Sequence, residues 1–450
     1  MKKILALIII IHLFVLTRIT FFPNSEMFIY PYLTNKGLLP YKQILDQHFP
    51  GLLFLPVNFD NLGMRTPQAA LLWQMAAVAL THLFVFILSQ KVLDKRKFIL
   101  LPSLLYLIWQ PFFEGFIQWL DVFLPLFLIS SAYFLLKYID APKKVKYLEI
   151  SGLVLGLGII FKQVLIPVVL LVGLYLFIKN GAKIASIFIL STLLPVLLML
   201  LYLSLIGVLN DFFYWTVTYN LTTFADYGRK WVPSLSHFIR FAFVFGAGLS
   251  GWFLGFKTRK VFLTGLYGVG ALSAVYARFD FVHLQPALPF VVILTTYAVT
   301  RLKNRLVVYF GLCYLFVAFI WGVKFYRGNW NGNITFFDDN VYRVASVVRG
   351  RIRPGSKIFV YGAPAHLYQM TQTLPAGNVF IFQFPWFMRV SQDRILTGII
   401  VDKPEIIIAD RTVSVDSQKL LDYTGGINAY ISKYYQTTEV IGNYEILERR

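Results

Sequence analysis

Two carboxylates and an imidazole, Glu26, Asp46 and His48, stand in the stretch PNSEMFIYPYLTNKGLLPYKQILDQHFPG, residues 23–51, directly after an apolar run. A carboxylate held beside aromatic and apolar groups has a raised pKa, which suits a general base. Glu26 is placed for that role, and a solvated loop charge is the bland alternative. Further ionisable residues stand at the ends of apolar runs: Asp121 in QPFFEGFIQWLDVFLPLF, Lys162 and Gln163 after GLVLGLGIIF, and Arg278 and His283 in ARFDFVHLQPALPF. An acid inside an apolar span is expensive, which favours function for Asp121 over a plain interaction with the helix dipole. Cations at span ends suit the stabilisation of a departing phosphate, with snorkelling anchors as the alternative.

These side chains sit in a chain that is 57% hydrophobic and 14% charged, against roughly 45–50% and 25% in soluble domains. That composition belongs in a membrane. Apolar runs recur along the chain, and about 20 apolar residues let a helix cross the bilayer. The spans read as 4–22, 68–89, 98–112, 118–136, 148–161, 164–178, 184–207, 237–256, 261–276, 284–300 and 306–323, eleven crossings in an α-helical polytopic fold. The formal charge of +20 lies in tight Lys/Arg clusters between runs, such as Lys95-Arg96-Lys97, which reads as cytoplasmic connections and not as a nucleic-acid surface. The N-terminus is then cytoplasmic and the C-terminus extracytoplasmic. MKK and the following apolar core read as an uncleaved first span, because no small-x-small cleavage site follows.

The outward loops are 23–67, 113–117, 162–163, 208–236 and 277–283, and they hold nearly all the candidate residues. The first is too long to lack structure, and MFIYPYL and FPGLLFLPVNF read as short helices lying in the membrane interface. After about residue 324 the pattern changes. KIFVYG, NVFIFQF and EIIIAD read as buried strands, and APAHLYQMTQ and DRILTGIIV as helices, so 324–450 reads as a small α/β domain on the outer face, beside a membrane module of 1–323. The single cysteine, Cys313, excludes an intramolecular disulfide. No set of His, Cys and carboxylates has zinc-ligand spacing. A divalent ion among Glu26, Asp46 and Asp121 is an option that the chemistry does not require.

An acid just after the first span, then Gly37-Leu38-Leu39-Pro40-Tyr41, then Asp46-Gln47-His48-Phe49-Pro50, resembles the GT-C superfamily of integral-membrane glycosyltransferases, which includes protein mannosyltransferases and lipid A aminoarabinose transferases. The glycine-spaced GLVLGLGIIFKQ, the late loop ARFDFVHLQPALPF and the C-terminal PGSKIFVYGAPAHLYQMT and KPEIIIAD are similar to elements of bacterial members. The resemblance implies inverting transfer of a sugar, hexose or pentose, from a polyprenyl-phosphate donor to a lipid, glycan or protein acceptor on the outer face. It implies Glu26 as base, Asp46 or Asp121 positioning the acceptor or a metal, and Lys162, Gln163, Arg278 and His283 at the donor, with His48 and Tyr41 shaping the loop. Many members carry an acidic pair where this chain has Ser25-Glu26, which leaves a catalytically inactive scaffold as one rival reading. A transporter or flippase of a lipid-linked sugar is the other. That reading calls for internal repeats and broken helices at mid-membrane, and the sequence shows no convincing repeat.

Overall fold

The computed structural model describes residues 1–450, apart from the side chain of Asn304. Two compact units emerge: Met1–Phe22 with Gln68–Met199 and Lys230–Asn333, and Pro23–Pro67 with Leu200–Arg229 and Ile334–Arg450. The first unit is a bundle of helices. Each of the eleven apolar segments falls on a helix, and seven of these are long and apolar enough to cross a membrane: Pro67–Val92, Arg96–Gly115, Leu120–Asp140, Gln163–Asn180, Ala182–Leu205, Leu235–Leu254 and Arg305–Asn329. The other four, Lys2–Arg18, Lys146–Phe161, Arg259–Ala271 and Leu288–Arg301, are 17 residues or shorter.

Burial ranks the helices by position. Leu288–Arg301 is buried from Leu288 through Thr300, whereas Arg305–Asn329 exposes most of its length, including Leu312, Leu315, Phe316 and Phe319. An apolar helix with so little packed surface has lipid as its natural surroundings. Glycines set the closest approaches. A Cβ on Gly152 or Gly156 of Lys146–Phe161 would stand 2.6 Å from the Phe188 carbonyl oxygen or 2.2 Å from that of Thr192, on the helix Ala182–Leu205. Gly156→Ala is therefore expected to force these helices apart and destabilise the protein by about 1–3 kcal/mol. Gly246→Ala, where nothing lies within 4 Å, should leave thermal unfolding in detergent nearly unchanged.

The second unit holds a five-stranded sheet. Strands β1 (Lys357–Tyr361), β2 (Leu374–Pro375), β3 (Ile406–Ala409), β4 (Tyr435–Ile441) and β5 (Tyr444–Arg449) lie in the order β2-β1-β3-β5-β4. β1 is parallel to β2 and β3, and β5 is antiparallel to β3 and β4. The KIFVYG and EIIIAD segments are β1, buried from Ile358 to Tyr361, and β3, buried throughout, and APAHLYQMTQ and DRILTGIIV fall on the helices Leu367–Thr371 and Pro385–Asp402.

Three expectations change here. NVFIFQF is not a sheet strand, because Phe380 gives its backbone hydrogen bonds to the first loop: its N–H donates to the Gln43 carbonyl at 2.8 Å and its carbonyl accepts from Leu45 at 2.9 Å. The helix Glu26–Asn35, which carries MFIYPYL, is not interfacial. Met27, Phe28, Ile29, Tyr30 and Leu33 are all fully buried, so the helix is packed on all sides over this stretch and forms part of this unit's core. The contact division also places residues 23–67 with the C-terminal segment, where the sequence reading had put them in the membrane module.

Candidate active site

In the helical unit the polar candidates come from places where helices break. Asp121 lies in a 3-10 turn, Leu120–Val122, ahead of the helix Leu124–Asp140. Lys162 caps Lys146–Phe161 in extended backbone (φ −158°, ψ 125°), and Gln163 opens the 3-10 turn leading into Ile166–Asn180. His283 belongs to the 3-10 turn Phe281–Leu284 before Leu288–Arg301. Breaking a helix frees its terminal backbone and lets a side chain leave the bundle axis.

These turns bring three of the candidates together. Lys162 Nζ donates to Asp121 Oδ2 at 2.6 Å, His283 Nδ1 stands 3.2 Å from Asp121 Oδ1, and Lys162 Nζ and His283 Nδ1 are 3.4 Å apart. The Asp121 side chain is fully buried, and Lys162 nearly so. Both oxygens of Asp121 thus face nitrogens of basic side chains. That is the arrangement of a counter-ion that orients Lys162 and His283, and it differs from a base waiting for a substrate hydroxyl. Arg278 stands on the same late segment and pairs with Asp280 at 3.2 Å, while the segment itself is tied down by Val282 N–H donating to Glu114 Oε2 at 3.1 Å. Glu114 sits at φ +58°, in the left-handed region that a tight reversal requires.

The second unit gathers the first-loop residues. Asp46 is buried and accepts three hydrogen bonds: from the Tyr30 hydroxyl at 2.7 Å, from the His48 backbone N–H at 2.7 Å, and from His48 Nδ1 at 2.9 Å. Tyr41, fully buried at φ +61° between Phe54 and Phe212, donates its hydroxyl to the His48 carbonyl at 2.8 Å. Tyr41 therefore shapes the loop and presents no free surface to a ligand.

Glu26 begins the helix Glu26–Asn35, one turn before Tyr30 on the same face. Burial pushes its carboxyl up to about 8; the negative charge of Asp46 adds to this, and a hydrogen bond from its own backbone opposes it. Among the described residues no basic side chain lies within ion-pair distance of Glu26. A partly buried carboxyl poised near neutrality is the form a general base takes.

Sequence reasoning missed Tyr30 and the partner of Ser25. The first signal was the i, i+4 spacing from Glu26 to Tyr30. The second had none, since Ser25 Oγ meets His366 Nδ1 at 3.0 Å across 341 residues of chain. His366 is fully buried, stacked on Phe337 at 4.0 Å, and burial lowers its pKa to about 3. Ser25 is thus part of a packed interior. Among the described residues no three His, Cys, Asp or Glu side chains are grouped to hold a metal ion.

Residues 48–225 match a family model described as dolichyl-phosphate-mannose-protein mannosyltransferase. No curated protein matches by sequence. Among solved structures the chain is similar to ArnT from Cupriavidus metallidurans bound to undecaprenyl phosphate, with a TM-score of 0.65 and 10% identity over 99% of this chain and 97% of that one. The apo state of the same protein gives a TM-score of 0.62 at 10% identity and equal coverage. An Archaeoglobus fulgidus oligosaccharyltransferase in complex with zinc and sulfate gives 0.54 at 11% identity, over 96% of this chain and 71% of that one. At such identities the likeness is one of fold.

Proposed function

We propose that this chain, a multi-pass membrane protein with the fold of the GT-C superfamily of integral-membrane glycosyltransferases, moves a sugar from a polyprenyl-phosphate donor to an acceptor on the outer face of the membrane. The observation that carries this reading is the pair of ionisable groups described above: a carboxyl raised by burial in the first loop, and a buried Asp121-Lys162-His283 set at the helix breaks. The fold shared with a protein bound to undecaprenyl phosphate supports a donor of that class. In the orientation read from the basic clusters, the N-terminus is cytoplasmic and eleven helices cross, with the bilayer thinned around the four short ones.

Glu26 takes the proton from the acceptor hydroxyl as its oxygen attacks the anomeric carbon. The bond from that carbon to the lipid phosphate oxygen breaks, the phosphate leaves with the electron pair, and the configuration inverts. Lys162 and His283, held in place by Asp121, offer N–H donors to the phosphate as its charge grows, and Arg278 and Gln163 lie on the neighbouring turns. Asp46, locked by Tyr30 and His48, keeps the loop in shape, and its charge adds to the burial that raises the Glu26 carboxyl. The acceptor is a lipid, glycan or protein hydroxyl.

A base must be ionised to act, so the rate is expected to rise as pH passes through about 8, the value to which the Glu26 carboxyl is raised. The pH dependence of kcat/KM for donor consumption tests this. A profile flat from pH 6 to pH 9 would remove Glu26 from the role.

A further inference from the structure

Two histidines with no part in the proposed transfer are buried among apolar spans of the helical unit, His12 on Lys2–Arg18 and His82 on Pro67–Val92. A polar side chain in such a setting is costly, so its presence calls for a partner and a purpose. His12 Nδ1 meets His82 Nε2 at 2.7 Å, and His12 Nε2 meets Gln110 Oε1 at 3.0 Å. Gln110 ends the helix Leu101–Gln110 and turns its Nε2 to the Gly115 carbonyl at 3.0 Å. That carbonyl can only accept, so the amide nitrogen must face it and the amide oxygen must face His12. His12 Nε2–H is therefore the donor, and in the neutral pair His82 Nε2–H donates to His12 Nδ1.

This run of bonds ends on the reversal Pro111–Gly115, where Phe113 (ψ 45°) and Glu114 (φ +58°) leave helical backbone and free the carbonyls around them. The carbonyls of Gln110, Phe113 and Gly115 are each met by a glutamine. The Gly115 carbonyl accepts from Gln74 as well as from Gln110, and Gln285 Nε2 donates to the Gln110 carbonyl at 2.9 Å and to the Phe113 carbonyl at 2.6 Å. All three glutamines are buried, and a Cβ on Gly115 would stand 2.1 Å from Gln110 Nε2, so the fit leaves no slack. Gln285 lies two residues after His283, and Val282, which donates to Glu114, lies one residue before it. The turn that presents His283 is thus bonded on both sides to a reversal whose shape the Gln110 amide sets.

We propose that His12 and His82 are positioning residues for the donor phosphate: they hold the Gln110 amide in one orientation and, through the reversal Pro111–Gly115 and Gln285, fix the place from which His283 meets that phosphate. The inference rests on the transfer reaction proposed above, in which His283 donates to the departing phosphate. Without the His12 N–H the Gln110 amide is free to turn, and the turned amide sets its oxygen against the Gly115 carbonyl oxygen. The reversal then loses a support, and the His283 turn shifts with it. A displaced donor whose hydrogen bond strengthens as charge grows on the leaving group lowers kcat more than it weakens binding.

His12→Leu and His12→Gln separate this role from plain packing. Glutamine sets an amide N–H near the place of His12 Nε2, whereas leucine fills the volume and offers no donor. In full-length protein reconstituted in lipid nanodiscs, His12→Leu is expected to lower kcat for donor consumption about tenfold or more with the donor KM within about twofold, and His12→Gln to recover most of the loss. Hydrogen exchange of the same proteins gives a second readout that needs no turnover. In His12→Leu, exchange should rise in segments 111–115 and 281–285 and stay unchanged in the helix Ala182–Leu205, and His12→Gln should resemble the unaltered protein. An unchanged kcat in His12→Leu, equal impairment of the two variants, or exchange rising throughout the bundle would overturn the proposal. If the unaltered protein consumes no donor, the proposed reaction fails, and the exchange pattern still decides whether the two histidines hold the His283 turn.

Discussion

Glu26→Gln is expected to reduce sugar transfer by about 10²–10⁴-fold, the range spanned by loss of a general base. The amide keeps the size and the backbone hydrogen bonding of the helix start but cannot accept the acceptor's proton. A stability signature separates this from unfolding. Because the folded-state pKa is raised above the unfolded value, the folded chain keeps a proton on Glu26 between about pH 4.5 and 8 that the unfolded chain has lost. Stability therefore falls as pH rises through that window. The Gln variant carries no such charge, so its Tm should exceed that of the unaltered protein at pH 9 and match it near pH 4. Thermal unfolding in detergent at the two pH values measures both sides. A variant that is inactive and also less stable at pH 9 would mean that Glu26 is structural.

Lys162→Met has the second large effect. It strands the fully buried Asp121 carboxylate with His283 as its remaining basic neighbour, and removing one partner of a buried ion pair costs about 3–5 kcal/mol. Asp121→Asn in the Lys162→Met background removes the orphan charge and should recover most of that stability. Transfer should not recover with it, because the donor phosphate still lacks its ammonium. Unfolding temperatures and donor turnover of the two variants, measured together, separate the roles. Return of activity in the double variant would reduce Lys162 to a structural cation.

The architecture was readable in proportion to how local its causes are. Apolar run length marked the seven helices long and apolar enough to cross a membrane, and the β-branched runs of KIFVYG and EIIIAD marked the two inner strands. The failures come from tertiary choices. Phe380 gave its backbone to Gln43 and Leu45, more than 300 residues away, so NVFIFQF did not join the sheet. The hairpin Tyr435–Ile441/Tyr444–Arg449 alternates polar and apolar residues too unevenly to announce itself, and it forms because β3 offers Leu447 and Ile446 a buried edge. The helix Glu26–Asn35 read as interfacial because MFIYPYL is an apolar stretch set among polar residues, yet it packs inside, and the hydroxyls of its Tyr30 and Tyr32 are hydrogen-bonded to Asp46 and to the Thr373 carbonyl.

The site followed the same rule. Residue type and position at span ends singled out Asp121, Lys162 and His283 separately, but only folding shows that Asp121 stands between the other two. Glu26 was legible as a carboxyl in an apolar setting, and its elevation follows from burial more than from any motif. Ser25 looked like a defect in an acidic pair. Its hydrogen bond to His366 explains that position by packing and leaves Glu26 as the loop carboxyl that carries the proposed chemistry.

The most direct test is the release of undecaprenyl phosphate by the reconstituted protein. A panel of undecaprenyl-phosphate-linked sugars is incubated with envelope extract as the source of acceptor, and free undecaprenyl phosphate is quantified over time. The account predicts release from at least one sugar donor, dependent on extract and lost in Glu26→Gln. No release from any donor, or equal release by the Glu26→Gln protein, would contradict it.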